Sequence, residues 1–254
     1  MTIVSGTSRA GNVCFPRARL KAPLLAWYRG AARDLPWRRT RDPYAILVSE
    51  VMLQQTQVSR VVPRYLRWLE RWPTLHDLAA ASAADVIREW QGLGYNRRAI
   101  ALHRAARFVS ADGWPDRLTD LPGVGRYTEA AIRAFAFGEP VLPVDTNVRR
   151  VQERTGFSFD HTCAQALFDL GREICLARIP RCGICPLAEL CPSRGGRYER
   201  LRKQSRFEGS FRQRRAHALR VVSEGGQPPD REALESLADD GLVTISGSIA
   251  TLPS

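Results

Sequence analysis

Four cysteines, Cys175, Cys182, Cys185 and Cys191, fall within 17 residues of a 254-residue chain. Their spacing is C-x6-C-x2-C-x5-C. Four thiolates this close in sequence converge readily on one inorganic centre, either tetrahedral zinc or a [4Fe–4S] cluster. A disulfide framework would instead spread its cysteines through a small secreted domain. The N-terminus also lacks the continuous apolar stretch of a secretory signal. A zinc ribbon pairs two CxxC knuckles across a longer insert, whereas this chain has one CxxC and unequal outer spacings. On spacing alone both centres stay open, a [4Fe–4S] cluster or zinc, and in either case the role is structural. The remaining cysteines, Cys14 and Cys163, stand alone.

The charge balance names a class of partner. Lys and Arg number 38 against 26 Asp and Glu, a net charge of +12. Such an excess points to a polyanion, because each neutralised phosphate releases counterions. Only Lys21 and Lys203 are lysines, so nearly all the positive charge sits on arginines, which grip phosphate bidentately and stack on bases. Apolar residues make up 44% of the chain, enough for a packed core. No run approaches the roughly 18–20 apolar residues of a membrane span. The charge alone names only a nucleic acid as partner.

Hydrophobic periodicity predicts a mainly α chain. Helices are expected over 23–33, over 44–62 with continuation to 72, and over 74–80, 82–90 and 97–111. Further helices are expected over 116–122 and 126–137 around a glycine turn, and over 144–156, 161–174 and 180–191. Ser82 and Asp85 mark a capped start. The predicted organisation is a loose basic arm over 1–22, a main domain over 23–192, a basic linker over 193–213 and a small module over 214–254. The linker region is strongly basic, with ten Lys or Arg against two Glu over 192–220. The module reads as winged-helix-like: two helices, the second over 230–240, then a short hairpin.

Two carboxylates, Glu50 and Asp145, stand out. Glu50 interrupts an apolar helical segment and shares a predicted stripe with Gln54 and Gln57 at i+4 and i+7. A carboxyl buried there would hold its proton for delivery. Asp145 lies in PVDTN, 20 residues beyond Gly125 of LPGVG. One proton donor and one anion beside an oxocarbenium-like centre are what cleavage of a glycosidic bond requires. Gly123 and Gly125 are expected to relax the backbone and let amides and a helix N-terminus approach a phosphate.

These segments taken together resemble the MutY-like adenine glycosylases of the helix-hairpin-helix (endonuclease III) superfamily. The resemblance runs over about residues 24–192 and is carried by LPWRR, SEVMLQQTQV, GLGYNRR, LPGVGRYT, VDTNVRRV and the cysteine spacing. It implies a two-lobed helix-hairpin-helix fold, a [4Fe–4S] cluster on Cys175, Cys182, Cys185 and Cys191, and excision of adenine opposite 8-oxoguanine or guanine. It also implies double-stranded DNA as partner, a monomer, and a cytoplasmic, nucleoid-associated setting. Glu50 would protonate the departing base and Asp145 would stabilise the sugar cation, with Tyr127 and Asn147 completing the catalytic centre. Gln55 and Tyr95 would intercalate or stack at the lesion pair, with Gln54 beside them. Trp37 and Arg38 would wall the base pocket, Gln165 would contact a base, and Gly123 and Gly125 would meet the DNA backbone. Bifunctional relatives carry a lysine nucleophile where this chain has Tyr127, so a monofunctional, water-using enzyme is expected.

The likeness stops short of the C-terminus. Larger members carry a Nudix-like domain that reads 8-oxoguanine, whereas 63 residues follow Cys191 here. The tail FEGSFRQRRAHALRVV resembles the short extension of actinobacterial members, and Asn96 stands where many members have a second aromatic. The alternatives are a thymine/uracil glycosylase acting opposite guanine, and a non-catalytic iron–sulfur protein that binds DNA.

Overall fold

The computed structural model describes residues 18–199 and 206–253. The greater part of the expected N-terminal arm, with Cys14, and the stretch of the basic linker containing Lys203 lie outside the described residues. Internal contacts divide the chain into two units: Met1–Ala32 with Thr146–Tyr198, and Arg33–Asp145 with Glu199–Ser254.

The first unit holds helices α1 (Ala18–Ala31), α8 (Thr146–Thr155) and α9 (Ala164–Glu173), followed by the cysteine loop. Helix α1 starts five residues before the expected position and runs through Pro23. A proline there removes one backbone bond, and burial of Leu20 and Leu24 offsets that loss. Lys21, expected in the arm, is on this helix, and its Nζ lies 2.7 Å from Asp160 Oδ2. Asp160 also caps the 3-10 turn His161–Cys163 by accepting from the Thr162 amide. The cysteine loop departs from expectation as well. In place of a helix over 180–191 it forms two short 3-10 turns, Cys182–Ile184 and Ala188–Leu190.

The second unit is built around helix α2 (Pro43–Leu53), of whose 11 residues nine are buried. Around it run α3 (Val58–Arg71), α4 (Leu75–Ala80), α5 (Ala83–Trp90), α6 (Arg97–Asp112) and α7 (Arg126–Phe135). Trp68 anchors the core by edge-on contacts with Trp72 at 4.7 Å and Trp90 at 5.5 Å between ring centroids. Caps set the helix starts. Asp42 accepts from the Tyr44 and Ala45 amides, Thr74 and Asp77 form a capping box, and Ser82 accepts from the Asp85 amide.

Two expectations fail in this unit. The helix expected to run from 44 through 62 breaks at Gln54–Gln57. Gln54 leaves helical geometry at ψ 108° and Gln55 turns left-handed at φ 55°. Glu50, Gln54 and Gln57 therefore share no stripe. The helix expected over 116–122 shrinks to the 3-10 turn Leu118–Asp120.

Residues 206–253 add α10 (Phe211–Ser223), α11 (Arg231–Asp239) and the antiparallel strands β1 (Thr244–Ser246) and β2 (Ile249–Thr251), with Ile245 opposite Ala250. This helix–helix–hairpin module buries Leu219, Val222, Leu237 and Leu242 against Ile87 of α5 and Ile100 of α6. Six arginines and seven acids nearly cancel in this stretch. Arg214 pairs with Asp230 and Glu232, and Arg215 pairs with Asp240.

Candidate active site

Glu50 sits on the last full turn of α2 with only 7% of its surface exposed. Its neighbours on the helix, Leu47, Val48, Val51 and Met52, are buried as well. Two groups of the same unit reach its carboxylate. The Tyr127 hydroxyl donates a hydrogen bond to it, and the negative charge of Asp145 bears on it. Burial pushes the Glu50 carboxyl up to about 7, Asp145 adds to the rise, and the Tyr127 bond opposes it. Tyr127 is in turn raised well above the ordinary phenol range, first by burial and then by Glu50 and Asp145. A carboxyl poised near neutrality can carry a proton and release it within one cycle.

The glycine hairpin delivers Tyr127. Leu121 and Val124 are buried anchors, the Val124 amide donates to Leu121 O at 3.1 Å, and α7 begins at Arg126. Tyr127 thus lies on the first turn after the bend, with its ring carried toward α2. The two glycines have different reasons to be there. Gly123 has φ 79°, and a Cβ on it would stand 2.8 Å from the Ala101 Cβ. Gly125 has φ −97° and ψ 175°, ordinary extended backbone, and a Cβ would meet nothing within 4 Å. The expectation that both glycines serve unusual backbone angles thus holds only for Gly123.

Trp37 is buried in this unit, its ring edge-on to Tyr65 at 5.4 Å. Arg38 Nη1 donates to Arg33 O at 3.0 Å. Gln55 is exposed on the α2–α3 turn and half-buried Gln54 precedes it. Tyr95 is 46% exposed on the turn before α6. Among the described residues, Gln55 and Tyr95 are the non-glycine positions with positive φ. The structure therefore brings Glu50, Tyr127 and Asp145 together, and sets Gln55 and Tyr95 on two bends of the same unit.

Asn147 and Gln165 belong to the first unit. Asn147 Oδ1 accepts from Arg150 Nη2 at 2.8 Å, and the same nitrogen donates to Gly171 O at 2.6 Å. Arg150 Nε reaches Cys175 O at 2.7 Å. Gly171 is required by packing, since a Cβ there would stand 2.8 Å from that of Asn147. Gln165 is half-buried on α9. Arg150 and Gly171 were not singled out from the sequence. An arginine in a basic helix and a glycine inside a helical pattern carry no local signal of such a role.

The cysteine loop closes on itself. Cys175, Cys182, Cys185 and Cys191 are all free of disulfides and line one cavity with Val151, Leu170 and Leu187. Burial raises the Cys185 and Cys191 thiols, and the neighbouring cysteines raise them further. N–H groups point at two of the sulfurs: Arg154 Nη1 lies 3.4 Å from Cys175 Sγ, and the Gly195 amide 3.3 Å from Cys182 Sγ. Four converging sulfurs in an apolar cavity, with N–H donors aimed at them, fit an iron–sulfur cluster. Arg154 is buried, and it also donates to Leu176 O and Ala177 O, each at 2.7 Å. The face of Tyr198 lies 3.7 Å from its guanidinium carbon.

The chain is similar to known proteins over most of its length. Residues 48–170 match the HhH-GPD superfamily of base excision DNA repair proteins. Residues 175–191 match the iron–sulfur binding domain of endonuclease III. The chain is 40% identical to an adenine DNA glycosylase of Mycolicibacterium smegmatis, over 89% of its own length and 94% of that protein. Among solved structures, a thermostable thymine-DNA glycosylase superposes with a TM-score of 0.63 at 29% identity, covering 69% of this chain and 95% of that one. A trapped endonuclease III–DNA covalent intermediate gives a TM-score of 0.60 at 25% identity, covering 70% and 96%. Among the described residues, no helix is long and apolar enough to cross a membrane.

Proposed function

The chain belongs to the adenine DNA glycosylases, within the helix-hairpin-helix superfamily of base-excision repair proteins, and from that premise we propose that it excises adenine mispaired with 8-oxoguanine or guanine by a monofunctional hydrolytic route. That it is a DNA N-glycosylase follows from the family itself. The observation that carries the finer reading is the buried Glu50, held near neutrality between Tyr127 and Asp145.

In this reading the target adenine is turned out of the duplex before it is cut. Glu50 gives its proton to a ring nitrogen of the adenine. The electron pair of the breaking C1′–N bond then leaves with a neutral base, and positive charge develops on the sugar. Asp145 stabilises that charge and helps deliver water, whose oxygen bonds to C1′ and whose proton returns to carboxylate. Tyr127 holds the Glu50 carboxylate through its hydroxyl. Asn147, its side-chain oxygen held by Arg150 in the first unit, is a further catalytic residue in this reading. Gln55 and Tyr95, with Gln54, enter the stack at the vacated site. Trp37 and Arg38 line the base pocket, Gln165 contacts a base, and the hairpin of Gly123 and Gly125 meets the DNA backbone. No amine is available for a Schiff base at the hairpin, where Tyr127 stands, so strand scission by that route is not expected.

We assign a [4Fe–4S] cluster to Cys175, Cys182, Cys185 and Cys191, on the strength of the iron–sulfur domain match and the shared cavity. Bound there, it would supply a covalent cross-link that organises the loop. Arg154 and the Gly195 amide would donate to its ligand sulfurs.

A second reading, removal of thymine or uracil opposite guanine, is favoured by the likeness to a thymine-DNA glycosylase. A proton donor decides between them. A purine benefits from protonation as it leaves, whereas a pyrimidine can depart as an anion. A panel of duplexes carrying A:8-oxoguanine, A:G, T:G and U:G tests the choice. Release of adenine, abolished by Glu50→Gln with DNA binding kept, is the expected result. Cutting confined to the pyrimidine mismatches would refute the adenine reading.

A further inference from the structure

One arginine joins the two bends that carry Gln55 and Tyr95. Arg98 lies on the first turn of α6. Its Nη1 donates to Val51 O at 2.7 Å, Met52 O at 3.1 Å and Gln54 O at 2.7 Å. Its Nη2 donates to Thr56 Oγ1 at 3.1 Å and Gly94 O at 2.9 Å. Its Nε donates to Tyr95 O at 3.3 Å. The guanidinium carbon also stands 5.2 Å from the Trp90 ring centroid and 5.5 Å from that of Tyr95. A single planar group thus binds the end of α2, the α2–α3 turn and the turn before α6.

The acceptors explain why an arginine is needed. The last carbonyls of a helix have no partner within the helix, and the negative end of its dipole favours a cation. Val51 and Met52 present such carbonyls at the end of α2. The two bends are the places where non-glycine residues adopt left-handed backbone, at φ 55° and φ 49°. Such conformations persist only where surrounding bonds over-determine them. Secondary ties run the same way: Thr56 Oγ1 reaches Leu93 O at 3.5 Å, Trp90 Nε1 donates to Gly94 O at 3.1 Å, and Arg60 donates to Gly92 O. Burial lowers Arg98 only to about 10, which leaves it charged at neutral pH.

We infer that Arg98 is a positioning residue: it locks the Gln55 and Tyr95 bends into one preorganised clamp, so that both side chains enter the base stack as a unit when the target base is turned out. The inference rests on the wedge role proposed above for those two residues. Opening a duplex is costly in itself, and a wedge whose backbone is already ordered adds no ordering cost to it. A lysine would keep the charge but lose the fork that serves both bends at once.

The test is a coupling measurement on the intact protein. A duplex with 2-aminopurine beside the mispaired adenine reports unstacking by its fluorescence rise. Arg98→Lys is expected to slow that rise about tenfold in the otherwise native chain and less than about twofold in a Gln55→Ala/Tyr95→Ala background. Thr56→Val, which removes one acceptor of the fork, covers the case in which Arg98→Lys does not fold. It should give a smaller slowing that likewise vanishes in the double-alanine background. Equal slowing in both backgrounds, or none in either, overturns the inference. If Gln55→Ala/Tyr95→Ala itself leaves unstacking unchanged, the wedge reading falls and takes the inference with it.

Discussion

The Tyr127 hydroxyl donates to the Glu50 carboxylate and thereby restrains the very rise in its proton affinity that burial creates. A hydrogen bond to the charged form lowers a carboxyl, while burial and the Asp145 charge raise it, and the balance is about 7. If protonated Glu50 is the acid, the chemical rate is flat below that pH and falls about tenfold for each pH unit above it. Tyr127→Phe removes the opposing bond, so the alkaline limb should move to higher pH. Single-turnover rates across pH 5–9 for both proteins check this, and a limb that stays in place would show that Tyr127 does not set the proton affinity of Glu50.

The same carboxyl makes stability depend on pH with a definite sign. Its folded-state value, about 7, lies above the ordinary 4.5. Between those values the folded chain holds a proton that the unfolded chain has lost, so stability falls as pH rises. The contribution is complete below about 4.5 and gone above about 7, a loss on the order of 3 kcal/mol. Glu50→Gln abolishes that titration. It should match the native protein in thermal stability near pH 4 and exceed it increasingly up to pH 7, with a constant gain beyond. A gain independent of pH would mean that the native carboxylate is not strained by burial.

The two hairpin glycines separate folding from DNA contact. Gly123→Ala forces a left-handed residue and places a methyl 2.8 Å from the Ala101 Cβ, so a loss of about 1–3 kcal/mol in unfolding free energy is expected. Gly125→Ala meets no protein atom within 4 Å and should leave stability within about 0.5 kcal/mol. If the hairpin backbone approaches a phosphate, the second change still weakens DNA binding. Denaturant melts and binding isotherms on both variants decide it, and a destabilised Gly125→Ala would contradict the geometry.

Arg154 predicts how the cysteine loop holds its iron. It donates both to Cys175 Sγ and to the carbonyls of Leu176 and Ala177. Arg154→Leu removes all three bonds, and iron should pass to a chelator about 10–100-fold faster than from the native protein. Loss of visible charge-transfer absorption follows the release. An unchanged rate would reduce Arg154 to packing.

How much of this was legible in the sequence depended on whether a signal was local. The cysteine spacing, the caps at Ser82 and Asp85, and the apolar character of α2 around Glu50 depend on near neighbours, and the structure repeats them. The break at Gln54–Gln57 does not. Apolar periodicity runs across it, while the bond that bends the chain comes from Arg98, 44 residues beyond Gln54. The same distance in sequence hid Arg98 itself, since one arginine among many carries no mark of its partners. The start of α1 was obscured by Pro23, which reads as a helix beginning but sits inside the helix. The ion pairs of the C-terminal stretch were hidden in the same way. Its arginines are conspicuous in α10, but Asp230, Glu232 and Asp240, which pair with two of them, lie 16 to 25 residues downstream.

Glu50 is carried by the helix on which the second unit is assembled, with nine of 11 residues buried. Heritable damage along α2 should consequently divide in an unusual way. Substitutions at Leu47, Val48, Val51 or Met52 would deplete the cell of folded enzyme, and a survey of protein abundance would find them. If Glu50 is the proton donor, a change there would do the reverse, leaving a protein at least as abundant as the native one and unable to act. Such a molecule would still occupy its site on DNA and shield the damage there from any other repair. Within one short helix, the inactive variant most easily overlooked by an abundance survey would then be the one at Glu50.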